Sequence, residues 1–224
     1  MERTTNSKAG KHERIAGSLL FLAGVIIFMG IITGEVFYPI GYSTSANPIS
    51  DLGATLPPNS LIFQPSAMIF DSTMIATGVM ILLGAYFFQR SNKKKLLSIP
   101  LGLGGLGLLG VGVFPSNYGA VHLIFAMLAF ISAGIAAILS AKVISGPYRH
   151  MSICLGSITL VTLLLWNTLI PLLGYGGTER WVAYPSTFWL TGFGAYLLGI
   201  QTAYASQHVN PQVVGSNPTS ANKA

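Results

Sequence analysis

The chain has 224 residues, 51% of them hydrophobic and only 8% charged, against about a quarter charged in ordinary soluble domains. With repeated apolar stretches of about twenty residues, this composition excludes a soluble core as the main reading. The net charge of +6 does not point to nucleic acid, because the basic residues lie in short loops beside apolar segments, as determinants of membrane topology do.

Six apolar spans are expected, at 15–38, 66–88, 96–114, 119–143, 151–174 and 182–204. They are too long for barrel strands, and backbone groups in hydrocarbon must be paired internally, so the spans are read as helices. The expected fold is an all-α polytopic bundle of six transmembrane helices. The N-terminus imitates a secretion signal, with Arg3, Lys8, Lys11 and Arg14 before an apolar run. That run continues from Ile15 to Tyr38, past the roughly 7–15 residues of a cleavable segment, and is read as a retained first helix. The polar stretches 1–14 and 205–224 are expected to be disordered tails, with 15–204 as the one membrane domain. Gly30 and Gly34 on the first span suit close helix packing beside Glu35.

The first loop, 39–65, is long and contains five prolines. Within it, Asn47-Pro48-Ile49-Ser50-Asp51-Leu52-Gly53 has the order of a short helix lying across the mouth of the bundle. Asn47 would cap it, Pro48 would occupy its first turn and Gly53 would end it.

Asp71 falls about a turn and a half into the second span, and a short charged turn, Gln89–Lys95, follows that span. In the third, Gly102, Gly104 and Gly107 match a dinucleotide-binding spacing, but no strand precedes them and no acceptor acid follows. They are read, with Gly105, Gly110 and Gly112, as a smooth surface for neighbouring helices within the chain.

His122 opens the fourth span and is the one histidine inside a span. It lacks the i+3 or i+4 partner of helical metal sites, and a haem would need more axial ligands, so no metal or cofactor is expected. Another short basic turn, Ile144–His150, leads to the fifth span. Cys154 is the single cysteine, which rules out an internal disulfide, and it is read as a packing residue. Asn167, beside Trp166, is expected to point inward as interhelical glue or as part of a pocket wall. Glu179 and Arg180 are placed in the last short loop, and Trp181, Tyr184 and Trp189 in an aromatic belt. The odd-numbered spans end in similar Pro and Gly punctuation, a faint repeat that three parallel hairpins would generate.

Eleven of the 12 Lys and Arg residues lie before the first span, in the two short turns, at the adjoining end of the fourth span (Lys142), or after the sixth. Cationic loops resist translocation, so this side and both termini are assigned to the cytoplasm of a cell membrane. The opposite face then collects Glu35, Asp51, Asp71, His122, Glu179 and Arg180. Ionisable groups at membrane depth cost free energy and mark sites. Asp71, the one water reaches least, is expected to be protonated, hydrogen-bonded inside the bundle, or paired with Arg180 or His122. Asp51, His122 and Glu179 are the candidate catalytic groups, and those six residues with Asn167 the candidate ligand contacts. No nucleophile elbow, P-loop, paired histidines or Cys-x-x-Cys occurs, so whether the chain is an enzyme stays open.

The Asn47–Gly53 stretch, then Gly112-Val113-Phe114-Pro115 with His122, then Glu179-Arg180 resembles the prokaryotic domain-of-unknown-function family 998. That resemblance covers roughly 15–204 and implies a six-helix integral membrane protein without an assigned activity, substrate or cofactor. It selects Asp51, His122, Glu179 and Arg180. Three functions fit: binding or modifying a lipid or small amphiphile at the outer face, a non-catalytic scaffold for a membrane-protein partner, or a small transporter. The first is preferred, with membrane lipids as partners. Convergence of Asp71, His122 and Arg180 around a cavity would favour it over the scaffold.

Overall fold

The structure, a computed structural model, describes residues 2–39, 41–92 and 95–209. Those residues form six α-helices: α1 (Glu2–Val36), α2 (Ser66–Asn92), α3 (Lys95–Val113), α4 (Ala120–Ser140), α5 (Tyr148–Leu164) and α6 (Trp166–Val209). Two short 3-10 turns, Ile49–Leu52 and Ser116–Tyr118, sit in the loops before α2 and α4. Each helix packs on its neighbours in sequence, and α6 returns to α1, which closes the bundle into a ring. The chain is a multi-pass membrane protein built from apolar helices. α1 starts at Glu2, well before the apolar run, whereas the rest of the expected C-terminal tail, 210–224, lies outside the described residues.

Four helices (α1 to α4) are each long and apolar enough to cross a membrane. The fifth and sixth expected spans differ from expectation. α5 and α6 pass that test only as a pair bent by 100°, which gives at most 5 spans. The physical reasons are length and polarity. The 17 residues of α5 reach about 25 Å, short of a hydrocarbon core of about 30 Å. α6 carries Thr178, Glu179, Arg180, Ser186 and Thr187, all buried. The chain leaves helical geometry at Leu165 and again at Gly174, where φ is 76° and ψ 171°. Only glycine adopts that conformation readily. α6 therefore consists of a short arm, 166–173, and a long arm from 175 onward. Glu179 and Arg180, expected in a loop, lie in the first turns of the long arm.

Small residues make the ring tight. Without a hydrophobic drive between helices in lipid, association rests on close backbone approach. On α3, a Cβ on Gly105 would meet the Gly78 carbonyl and the Leu82 nitrogen of α2 at 3.0 Å, while one on Gly107 would sit 2.7 Å from the Ala129 Cα of α4. The dinucleotide-like spacing is thus a packing stripe facing two neighbours. Two other expectations fail for lack of an inward position. Cys154 is exposed on α5, and Asn167 is exposed on the short arm of α6. Trp189 departs the other way. It is 1% exposed and its Nε1 donates to Ser140 Oγ at 3.0 Å, so it belongs to the core while Trp181 remains exposed.

The charge asymmetry appears as two ends of the ring. At one end His12 lies against Phe87 with the rings tilted, Phe88 meets Phe193, and the Ser145 amide donates to Tyr196. Arg14, Arg90, Lys142 and Arg149 belong to those helix ends. The other end carries Glu35, Asp51, Asp71, His122, Glu179 and Arg180.

Gly107→Ala places a methyl against α4 backbone and is expected to lower stability by about 1–3 kcal/mol. Gly102→Ala, whose Cβ would find only Ala85 at 3.8 Å, should be neutral or stabilising by up to about 1 kcal/mol. Thermal melts of the two variants in one detergent check this, and equal melting temperatures would contradict the packing role.

Candidate functional site

α6 fastens the first loop. Because Gly174 breaks the helix, the amides that open its long arm are free to bond outward. Those of Gly176 and Gly177 donate to the Ser45 carbonyl, at 2.8 and 3.3 Å. One step further, Glu179 Oε2 accepts from the Ile49 amide at very short range and from Ser50 N at 3.5 Å. It thus caps the Ile49–Leu52 turn from another helix. Arg180 does the complementary work. Its Nη1 donates to the carbonyls of Thr44 (2.8 Å), Asn47 (3.1 Å) and Gly176 (2.9 Å). Its Nη2 donates to Glu35 Oε1 at 2.5 Å and to Tyr42 Oη at 2.7 Å. A planar guanidinium with several fixed donors suits this convergence of carbonyls and a carboxylate.

The Asn47–Gly53 stretch forms the expected turn, with different roles for its ends. Pro48 is the cap residue, and no side chain of the loop caps the turn. Asn47 instead accepts from Ser43 N at 2.9 Å and donates to Asp51 Oδ2 at 3.1 Å. Ile49 and Leu52 are buried at 5% and 0% exposure, and the turn touches α1, α2 and α6. It closes one end of the ring. Burial pushes the Asp51 carboxyl above the usual carboxylate range, and the Asn47 hydrogen bond opposes that shift. Tyr42 is likewise pushed up by burial, although the Arg180 guanidinium beside it acts in the other direction.

His122 is 6% exposed. Its Nδ1 lies 2.8 Å from the Phe114 carbonyl, which can only accept, so Nδ1 carries the hydrogen. Nε2 then faces Ser116 Oγ at 3.3 Å, and that hydroxyl is also 3.4 Å from the Ser50 carbonyl. The one hydroxyl proton of Ser116 goes either to Nε2 or to the Ser50 carbonyl, so His122 holds the Ser116–Tyr118 turn and Ser116 is the residue that reaches the first-loop turn. For Asp71 the pairing alternatives are not met. It pairs with neither Arg180 nor His122, and its buried Oδ1 has no partner. Gly53 leaves the space that this carboxylate occupies. Asp71, His122 and Arg180 do not converge. Among the described residues, no three of His, Cys, Asp and Glu are placed to hold a metal ion.

Inside the ring lies a cavity with about 100 Å³ open to the centre of a water molecule. Its walls include Ile31, Phe70, Met74, Leu101, Leu108 and Leu190. Glu179, His122 and Ser50 line the same cavity, under the first-loop turn. The hydroxyls of Ser186 and Thr187, which also face it, are bonded back to the Ala183 carbonyl. A second, wider groove of about 440 Å³ runs outside, bordered by Thr44, Ser45, Arg180, Trp181, Tyr184 and Phe188. Glu179 thus faces the inner cavity and Arg180 the outer groove.

The candidates Glu35, Asp51, His122, Glu179 and Arg180 take part in these hydrogen bonds, and Tyr42, Ser50 and Ser116, which were not among the candidates, complete them. Neutral hydroxyls in loops carry no charge signal, and only the Gly174-Tyr175-Gly176-Gly177 run hinted that backbone would approach closely there. Residues 21–196 match the family described as "Protein of unknown function (DUF998)", and the chain belongs to that family. No curated protein and no solved structure matches it.

Arg180→Lys keeps the charge but loses the fork, and is expected to cost about 1.5–3 kcal/mol, the range for hydrogen bonds to a charged group. Amide exchange at 43–50 should quicken with the loss, and unchanged exchange would contradict the clamp. For Asp51, the folded protein binds its proton more tightly than the unfolded chain does. Stability is then greatest below the ordinary carboxylate pKa of about 4 and falls as pH rises toward the raised folded value. Asp51→Asn should flatten that fall in melting temperature against pH. A wild-type curve that rises with pH over the same window would show the opposite linkage.

Proposed function

We propose that the protein is a binding protein for an amphiphile in the cell membrane, with both termini cytoplasmic and the site at the outer face. The apolar part of the ligand lies inside the helical ring, and its polar end lies under the first-loop turn beside Glu179, His122 and Ser50. The observation that carries this reading is the inner cavity. It is apolar along its walls and polar at one end, as small-molecule sites usually are. A scaffold has no need of such a space, since unfilled apolar volume costs stability. The orientation is supported by the Lys and Arg residues gathered at the opposite end of the ring.

The polar cluster contributes as a lid support rather than as a set of converging reactive groups. Glu179 and Arg180 hold the turn that roofs the cavity, and Glu35 and Tyr42 hold Arg180. Asp51 braces the loop through Asn47. Binding without chemistry is therefore the reading this geometry favours, with modification of the ligand as the finer alternative.

Ala126 and Ala133, on α4, line the cavity and are half-buried, so a larger side chain at either position would fill it. Protein extracted with its native lipids should carry an enriched amphiphile detectable by mass spectrometry. Ala126→Phe or Ala133→Phe should reduce that species about tenfold, equivalent to about 1.4 kcal/mol of binding, at near-unchanged melting temperature. Equal occupancy in folded variants, or no enriched species in the wild type, would refute the reading.

A further inference from the structure

The cavity has a measurable length. Its walls run from Phe70 to Ile81 on α2, Pro100 to Val111 on α3, His122 to Ala133 on α4 and Glu179 to Leu190 on α6. At about 1.5 Å per residue each of these stretches covers about 16 Å. Half of a hydrocarbon core about 30 Å thick is about 15 Å, so the cavity has the depth of one leaflet. It is also narrow. Spread over that length, 100 Å³ leaves a passage one water or one methylene chain wide, since a single water needs about 10–15 Å³ by this measure.

The polar end is equally selective. Its charged group is an acid, Glu179, and among the described residues no Lys or Arg lines the cavity. The nearest cation, Arg180, is committed to three carbonyls, Glu35 and Tyr42, and borders the outer groove instead. An anionic head would enter beside a carboxyl, with the neighbouring guanidinium already bonded elsewhere. A neutral hydrogen-bond donor finds the reverse, whereas an ammonium would give up its hydration for a single free carboxyl oxygen, a cost one contact does not offset. Glu179 Oε2 receives both backbone amides of the turn, which leaves Oε1 for the occupant, and Ser50 lines the same end.

Resting on the amphiphile-binding reading above, we infer that the ligand class is a neutral single-chain alcohol. Its unbranched tail reaches one leaflet deep, and its terminal hydroxyl donates to Glu179 Oε1. Phosphate-headed, carboxylate-headed and two-chain lipids are excluded by the absence of a cation and by the width of the passage.

The test is competition binding to the full chain in phospholipid nanodiscs, with tritiated n-dodecanol as tracer and empty nanodiscs subtracted. n-Dodecyl phosphate, laurate and n-dodecylamine are the competitors. n-Dodecanol should bind at least tenfold more tightly than each of them, and Ala126→Phe should abolish the tracer signal. In Glu179→Gln an amide nitrogen can face the cavity, and the preference for alcohol over laurate and n-dodecyl phosphate should shrink about tenfold. The wild-type ranking needs no variant to fold. If an anionic or amine probe binds as well as the alcohol and Ala126→Phe blocks it, the head assignment is overturned while the cavity reading stands. If no probe binds, or binding ignores Ala126→Phe, the cavity reading falls as well.

Discussion

The attachment of the first loop to α6 is the constraint on which the rest of the molecule depends. Two adjacent residues act on opposite sides of one backbone segment. Glu179 accepts from the amides of Ile49 and Ser50, and Arg180 donates to the carbonyls of Thr44 and Asn47. Neighbouring side chains on a helix point about 100° apart, so one pair can grip a loop from two directions. Burying an ion is unfavourable unless its hydrogen bonds are met. Here the carbonyls of a proline-rich loop take up the Nη1 donors of Arg180 and the carboxylate of Glu35 balances the guanidinium, while its buried Nε has no partner.

That attachment also separates two spaces. The inner cavity lies within the ring, roofed by the Ile49–Leu52 turn. The outer groove lies across α6, where Trp181 and Phe188 are exposed. Without the clamp the turn keeps the burial of Ile49 and Leu52, the bond from Ser66 Oγ to the Leu52 carbonyl and the longer one from Ser116 Oγ to the Ser50 carbonyl. The break at Gly174 belongs to the same device. It frees the Gly176 and Gly177 amides for Ser45, and it brings the long arm's first turns to the roof.

The ring itself is a product of small residues. Gly78 against Gly105, Gly107 against Ala129, and Gly134 against Gly156 let backbones approach where Leu or Ile would hold them apart. Large apolar side chains such as Leu103, Leu123 and Leu172 are then left to the perimeter, where they are exposed and match a lipid surroundings. Close contact around the circumference, with Ile, Leu and Phe turned inward only along part of its length, leaves the central space unfilled.

The chain's chemistry by itself determined the helical class, the glycine stripe on α3, the short turn at Asn47–Gly53 and the segregation of charge to two ends. These follow from local rules: apolar length, backbone pairing in hydrocarbon, Pro and Gly geometry, and the cost of a buried ion. The tertiary structure alone decided who meets whom at the acid end. Arg180 could satisfy its charge with Glu35, Asp51 or Asp71, which are equivalent in type, and the choice of Glu35 rests on the packing of α1 against α6. Asp71 was left alone for the same reason, since α2 enters the ring beside Gly53 and not beside α6. The break of α6 at Gly174 and the outward positions of Asn167 and Cys154 were hidden too, because a helix's rotation about its axis is set by its neighbours and not by its own residues.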